Sequence, residues 1–339
     1  MVHYLQPLLK AMPMRFQSLR RLCLVGLAGV SAGLCVLPAA AQPFPSKPVR
    51  LVVPFPPGSA TDTVARAFAQ VLAPALGQPV LVDNKAGADG ALAGQDVMRA
   101  PADGHTLLFG TNSPLAVAPA MKKTPPYDPL TDFTPIIDIG RYTFFFVVHP
   151  SVPANTLGEF IAHAKANQGA LNYATGNTTG LVAMAQFVAL SGTRMTHVPY
   201  KGEPQALTDL LAGRVQLMVV SAGTSVPHIR EGKLRALAVT LPARSAALPA
   251  VPTMAEAGLP QFSITSWAAV VGPARMPADV VDRLNREFTA AMSKPEVATV
   301  VERQAFALTG STPARLGAFM KEQLESYRAT LKAAGVEPE

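Results

Sequence analysis

Past residue 41 the chain contains no cysteine, because its two cysteines are Cys23 and Cys35. That excludes disulfides, cysteine catalysis and thiolate-bound metal from the rest of the sequence. Aromatic residues are scarce at 6% and there is a single tryptophan. After residue 41 no apolar run reaches the ~20 residues that a bilayer-spanning helix needs. The enzyme signatures G-x-S-x-G, H-E-x-x-H, the Walker loop and G-x-G-x-x-G after a strand are all missing. The histidines His105, His149, His163, His197 and His228 are too widely scattered to make a metal site. Asp128 and Asp132 flank Pro129 in a turn pattern, where side chain to backbone hydrogen bonds explain them. No repeat or low-complexity tract occurs. The expectation is a protein without metal or cofactor, and a binder rather than an enzyme.

The first 41 residues read as a secretory signal peptide. Arg15, Arg20 and Arg21 precede the apolar run LCLVGLAGVSAGLCVL, and Ala39-Ala40-Ala41 supplies a small-residue cleavage pattern. Leu34 stands before Cys35 where lipoprotein processing prefers a small residue, so no lipid anchor is expected. The formal charge of +7 is largely a property of this segment. Without its four basic residues the chain holds 25 basic against 22 acidic residues, a formal +3. No stretch of Lys and Arg interleaved with aromatics remains, so a nucleic-acid partner is excluded.

Residues 42 to 339 suit two domains. Short β-branched runs predict strands at 49–53, 79–82, 106–109, 144–148, 171–174, 215–220, 234–239 and 267–271. Helical spacing predicts helices at 61–76, 90–100, 156–167, 180–191, 203–212, 278–293 and 313–334. This alternation is the pattern of β/α units around mostly parallel sheets with helices on both faces. Extended stretches at 136–146 and 236–244 read as two hinge strands. They divide the chain into one lobe of residues 42–142 plus 243–339 and another of residues 143–242.

In such folds, ligands sit where strand ends run into helix N-termini. Four strand-to-helix loops are rich in small hydroxyl and amide residues: PPGSATD (56–62), GTNSPLA (110–116), ATGNTTG (174–180) and SAGTS (221–225). Local structure accounts for much of this. Ser59 and Asp62 have capping-box spacing, with Asp62 expected to reach back to the Ser59 N–H. Asn177 or Thr178 is placed to cap the helix that follows. Pro114 stands at a favourable first helical position. A helix N-terminus also attracts an anion, by ~0.3–1 kcal/mol when exposed. Several such ends around one cleft would hold a carboxylate.

The ordered series PFPPGSATDTVAR, VDNKAGADGALAG, PADGHTLLFGTNS, PPYDPLTDFTPI, LNYATG, HVPYKGEPQALTDLLAGRVQLM, GKLRALAVT and SWAAVVGPARMP resembles the Bug family along essentially the whole chain after the leader. These are the substrate-binding receptors of tripartite tricarboxylate transporters. The resemblance implies a two-lobed periplasmic-binding-protein fold of type II-like form. It implies a periplasmic, monomeric receptor for a small organic carboxylate, with the leader cleaved near Ala41. Its partners would be the permease subunits of a tripartite transporter, or a sensor. Carried over by position, the ligand-binding residues would be Ser59, Ala60, Asp62, Thr111, Asn112, Gly176, Asn177 and Thr178, with Tyr200 and Ser221 beside them. The sequence departs from the family at Ser59, where a glycine is usual, at Val220, where an aspartate is common, and at Leu181 to Met184. These changes imply a more apolar cleft. A periplasmic hydrolase using Ser59 or Ser221 is the competing reading, and no histidine or lysine stands near either serine to act as base.

Overall fold

The computed structural model describes residues 44–262 and 264–333, with 335 and 338. The leader, its cleavage site and both cysteines lie outside the described residues. Two sheets organise the chain from Phe44 on. The first has six strands in the order β11-β4-β10-β3-β1-β2. These are β1 (Val49–Val53), β2 (Val80–Asn84), β3 (Thr106–Thr111), β4 (Phe133–Tyr142), β10 (Trp267–Pro273) and β11 (Phe306–Leu308). The second has five strands in the order β7-β6-β8-β5-β9. Its members are β5 (Phe144–Val148), β6 (Asn172–Thr175), β7 (Thr196–Pro199), β8 (Leu217–Ser221) and β9 (Arg235–Val239). The sheets form the two lobes of a periplasmic-binding-protein fold.

The strands whose sequences run apolar without a break are buried on both faces: every residue of FFFVV in β5 and of WAAVVGP in β10 is inaccessible. Helices cover those faces. They are α1 (Ala60–Leu76), α2 (Ala91–Met98), α3 (Leu157–Ala166), α4 (Thr178–Ser191), α5 (Glu203–Leu211), α6 (Ala222–Arg230), α7 (Ala278–Met292), α8 (Pro295–Arg303) and α9 (Pro313–Ala333). Phe68 of α1 packs between Phe109 of β3 and Phe288 of α7, with ring centroids 6.1 and 5.8 Å away. In the other lobe Phe146, Phe160 and Phe187 form the equivalent cluster. Each such buried ring contributes about 1.5–3 kcal/mol.

Pairing is mixed, a refinement of the parallel expectation. β1 runs parallel to β2 and β3, and β6 runs parallel to β7 and β8. β10 lies antiparallel between β3 and β4, and β5 lies antiparallel between β8 and β9. The chain passes from one sheet to the other through the single residue Thr143, between β4 and β5. β5 opens directly after this passage, and β10 is the first strand after the chain returns from β9 to the first sheet.

Five elements escape periodicity in whole or in part. α6 contains Gly223 and Pro227, which read as breakers. α8 opens on Pro295, which reads as a stop after α7 but serves as a first helical residue. β7 and β11 are too short to show alternation. β4 holds Pro135 and Gly140 and is irregular in its register with β10. Among the described residues no helix is long and apolar enough to cross a membrane.

Candidate functional site

β1 ends in a tight turn. The Ser59 N–H donates to the Pro56 carbonyl at 3.2 Å, with Pro57 and Gly58 as its central residues. Gly58 has φ +82, the angle that the third position of a type II turn requires and that other residues resist. Ser59 then caps α1, its Oγ accepting from the Asp62 N–H at 3.2 Å. Asp62 does not return to the Ser59 N–H as expected, because the Pro56 carbonyl already holds that amide. Its Oδ2 accepts the Gly58 N–H instead, at 3.0 Å.

Asp62 has further partners: Asn84 donates at 2.9 Å, and Arg66 pairs with it at 2.9 Å. Burial pushes its carboxyl up. The hydrogen bonds from Arg66, Gly58 and Asn84 and the Arg66 charge outweigh that, holding its pKa below the ordinary aspartate value. Asp62 thus ties the turn to β2 and is neutralised within its own lobe. The amides of Ala60 and Thr61 stand at the open end of α1, where a helix has no acceptor of its own to offer.

At the end of β3, Thr111 Oγ1 accepts the Ser113 N–H at 3.3 Å, and the chain enters a π-helical turn at Ser113–Val117. Such turns are rare and occur most often at functional sites. Asn112 is fully buried and joins the lobes. Its Nδ2 donates to Thr179 Oγ1 on α4 at 2.7 Å and to the Tyr327 hydroxyl on α9 at 2.9 Å. Its Oδ1 accepts from Trp267 N and Ser266 Oγ, both at 3.3 Å. Next to this junction stand Ser113 on one side and Thr178 on the other. Both are 1% exposed, and neither side-chain hydroxyl has a hydrogen-bond partner among the described residues. A buried hydroxyl left unpaired costs about 1–3 kcal/mol.

In the second lobe, Asn177 caps α4 through its Oδ1, which accepts the Gly180 N–H at 2.8 Å. Its Nδ2 donates to Glu203 Oε1 at 3.2 Å. Glu203 is the first residue of α5 and its carboxylate is buried. It also takes the Ser221 N–H at 3.2 Å, the Ser221 hydroxyl at 2.6 Å and the Thr224 hydroxyl at 3.3 Å. Burial raises its pKa above the ordinary glutamate value, and hydrogen bonds from Ser221, Thr224 and Asn177 offset part of the rise. The backbone around it is tight. A Cβ on Gly176 would lie 2.4 Å from the Glu203 nitrogen, and one on Gly202 would lie 2.8 Å from Pro56 of the first lobe.

A cleft of about 300 Å³ opens between these loops. One wall is Pro54, Phe55 and the segment Gly87 to Gly90; the other is Gly176, Asn177, Pro199, Tyr200 and Lys201. Ala88 and Asp89 sit at φ 46 and 56, a left-handed conformation that costs non-glycine residues ~1–3 kcal/mol each and clusters at functional sites. Of the ten residues read from the sequence, Gly176, Asn177 and Tyr200 line this cleft. Ser59, Ala60, Asp62, Thr111, Asn112, Thr178 and Ser221 are buried. The Tyr200 hydroxyl donates to Asp209 at 2.7 Å.

Glu203 and the 87–90 segment were missed, and Ser113 was read only as part of the GTNSPLA loop. KAGADG carried a signal in its glycines on either side of a helix start, whereas nothing local distinguishes Glu203 from a solvated acid at a helix N-terminus. Val220 lies in the core of the second lobe, against Phe145. Its departure from the family pattern therefore leaves the cleft wall unchanged. Met184, Val182 and Ala183 are likewise core. What makes the wall apolar is Pro54, Phe55, Pro199 and Tyr200. Neither hydrolase serine has a histidine bonded to it among the described residues: Ser59 is a cap and Ser221 is held by Glu203.

Residues 64–336 match the family described as "Tripartite tricarboxylate transporter family receptor". Protein BugT of Bordetella pertussis is 34% identical over 320 residues, covering 93% of this chain and 98% of that one. Among solved structures, a protein of R. palustris with adipate has a TM-score of 0.84 at 33% identity, over 87% of this chain and all of that one. MatC from Rhodopseudomonas palustris, with bound malate, has a TM-score of 0.81 at 30% identity, over 85% of this chain and all of that one. The periplasmic binding protein BugD has a TM-score of 0.83 at 31% identity, with 87% of this chain covered.

Proposed function

The chain belongs to the tripartite tricarboxylate transporter receptor family and is a solute receptor rather than an enzyme, and from that premise we propose that its solute is a small organic carboxylate held at the Asn112–Thr179 junction. The carrying observation is the pair of buried, unpartnered hydroxyls of Ser113 and Thr178, one from each lobe. A carboxylate accepts two hydroxyl hydrogen bonds and the amides at the open ends of α1 and α4, with favourable helix dipoles behind them. Apolar surface from Phe55, Pro54, Pro199 and Tyr200 takes the body of the molecule. Relatives solved with adipate and malate support an acid as the ligand class.

The lobes are taken as residues 42–142 plus 243–339 and residues 143–242, which follows sheet membership. A ligand touching both lobes favours the closed arrangement because only that form supplies both hydroxyls. The receptor acts as a monomer in the periplasm after cleavage near Ala41, and hands its solute to permease subunits of a tripartite transporter. N-terminal sequencing of the exported protein and its mass in solution check these last points.

Thermal-shift screening against mono-, di- and tricarboxylates tests the ligand class. At least one acid raises the melting temperature of the wild type. Combining Ser113→Ala with Thr178→Val weakens that acid roughly hundredfold by calorimetry, since a hydrogen bond to a charged group is worth about 1.5–3 kcal/mol. Binding that is unchanged in the double variant rules out this placement of the carboxylate.

A further inference from the structure

The cleft and the passage between the lobes stand at opposite edges of the two sheets. The cleft is lined from the ends of β1, β2, β6 and β7 and the loops that follow them, whereas β11, β4, β5 and β9 lie toward the far edges. At those far edges a second groove, of about 1,020 Å³, runs between α6 of the second lobe and the end of α8 with β11 of the first. Thr143 and residues 241–247, where the chain passes between the lobes, complete its lining. Thr143 is bonded to both walls. Its carbonyl accepts the Ala222 N–H at 2.8 Å, and its hydroxyl donates to the Ala305 carbonyl at 2.6 Å. One residue away on each wall the lobes touch: a Cβ on Gly223 would fall 1.7 Å from Gln304 Oε1. That oxygen is buried and has no hydrogen-bond partner among the described residues, so packing, not a hydrogen bond, holds it against α6. Ala305 sits at φ 46, a strained angle that persists only where the surrounding contacts fix the turn.

We propose that Thr143 is a fulcrum about which cleft and groove open in opposition, and that Gly223 against Gln304 is the stop that limits how far the receptor opens. In this structure the lobes meet at the cleft, through Asn112 with Thr179 at 2.7 Å and through Gly202 beside Pro56, and the groove behind them exceeds the cleft in volume. Rotation that parts the cleft brings α6 toward α8, because Thr143 stands between the two openings and is tied to both groove walls. Glycine at 223 lets that approach proceed, and a side chain there halts it earlier. The contact is close to the fulcrum and the cleft is far from it, so a small change at the contact becomes a larger one at the cleft. A bulkier residue 223 therefore penalises the open form and shifts the population toward the closed one, with no change in any residue that lines the cleft. This holds for the ligand-free protein, whatever solute the cleft takes.

Pairs of spin labels read the two openings by double electron–electron resonance on the ligand-free mature protein, which has no native cysteine past residue 41. Leu92→Cys, next to Gly87 on one wall, with Lys201→Cys on the other, spans the cleft. Arg230→Cys with Glu302→Cys spans the groove. Gly223→Leu raises the closed-to-open ratio roughly threefold or more, shortening the cleft distance and lengthening the groove distance. Gln304→Ala, which takes the stop away without overpacking, shifts both distances the other way. Cleft and groove distances that move in the same direction, or that stay fixed in the folded variants, overturn the fulcrum. A Gly223→Leu protein with a longer cleft distance overturns the stop. Opposed shifts in Gln304→Ala decide the matter even where Gly223→Leu does not fold.

Discussion

Each lobe buries a carboxylate at the start of a helix beside the cleft, and the two are treated in opposite ways. Asp62 is the third residue of α1, paired at 2.9 Å with Arg66 on the same helix. Its pKa is held down. Glu203 opens α5, surrounded by neutral donors, and burial pushes its pKa up. Both acids brace a loop: Asp62 ties the Pro56–Ser59 turn to β2, and Glu203 ties the caps of α4 and α6 together. The difference is in what they leave behind. The first lobe's acid is paired with Arg66 on its own helix. The second lobe's acid takes hydrogen bonds from Asn177, Ser221 and Thr224. Similar supersecondary units therefore handle a buried carboxylate in unlike ways.

The largest break in this comparison is expected at Gly176. Its added Cβ meets backbone, 2.4 Å from the Glu203 nitrogen and 2.6 Å from the Gly202 carbonyl carbon. Gly176→Ala should cost about 1–3 kcal/mol in denaturant unfolding, as overpacking usually does. It should also weaken acid binding by displacing the Asn177 cap. A Gly176→Ala protein of unchanged stability would show that the second lobe's brace is loose. A smaller effect is expected in the first lobe: Asp62→Asn removes the charge facing Arg66, which is half exposed, and should cost about 1 kcal/mol.

The smallest and most diagnostic effect is in pH dependence. The folded pKa of Asp62 is depressed, so its stabilising contribution is present above the ordinary aspartate value and is lost as pH falls through the depressed one. The folded pKa of Glu203 is raised, so its contribution is present below the ordinary glutamate value and is lost as pH rises through the raised one. In melting-temperature profiles, Asp62→Asn should flatten the acid limb and Glu203→Gln the limb above it. Parallel profiles for both variants would mean that the two carboxylates are not opposed.

Much of the fold was readable because its signals are local. VRLVV, FFFVV and WAAVVGP announce buried strands, and Ser59 and Asn177 stand where caps are needed and do cap their helices. Elements whose boundaries rest on Gly or Pro, such as α6 and α8, were lost because the same residue starts one helix and stops another. The site was readable only as a set of loops. Within those loops, spacing identified the caps but not which polar groups remain available. Asp62 is satisfied partly by Asn84, 22 residues away, Asn112 by Tyr327, 215 away, and Ser221 by Glu203, 18 away.

The sequence by itself determined the alternation of strands and helices, the caps and the family. The tertiary structure decided which donors are taken and which, at Ser113 and Thr178, are not. A capping bond joins residues three apart and so is written in the spacing. The occupancy of a side chain's remaining hydrogen-bond positions depends on partners that only folding brings near.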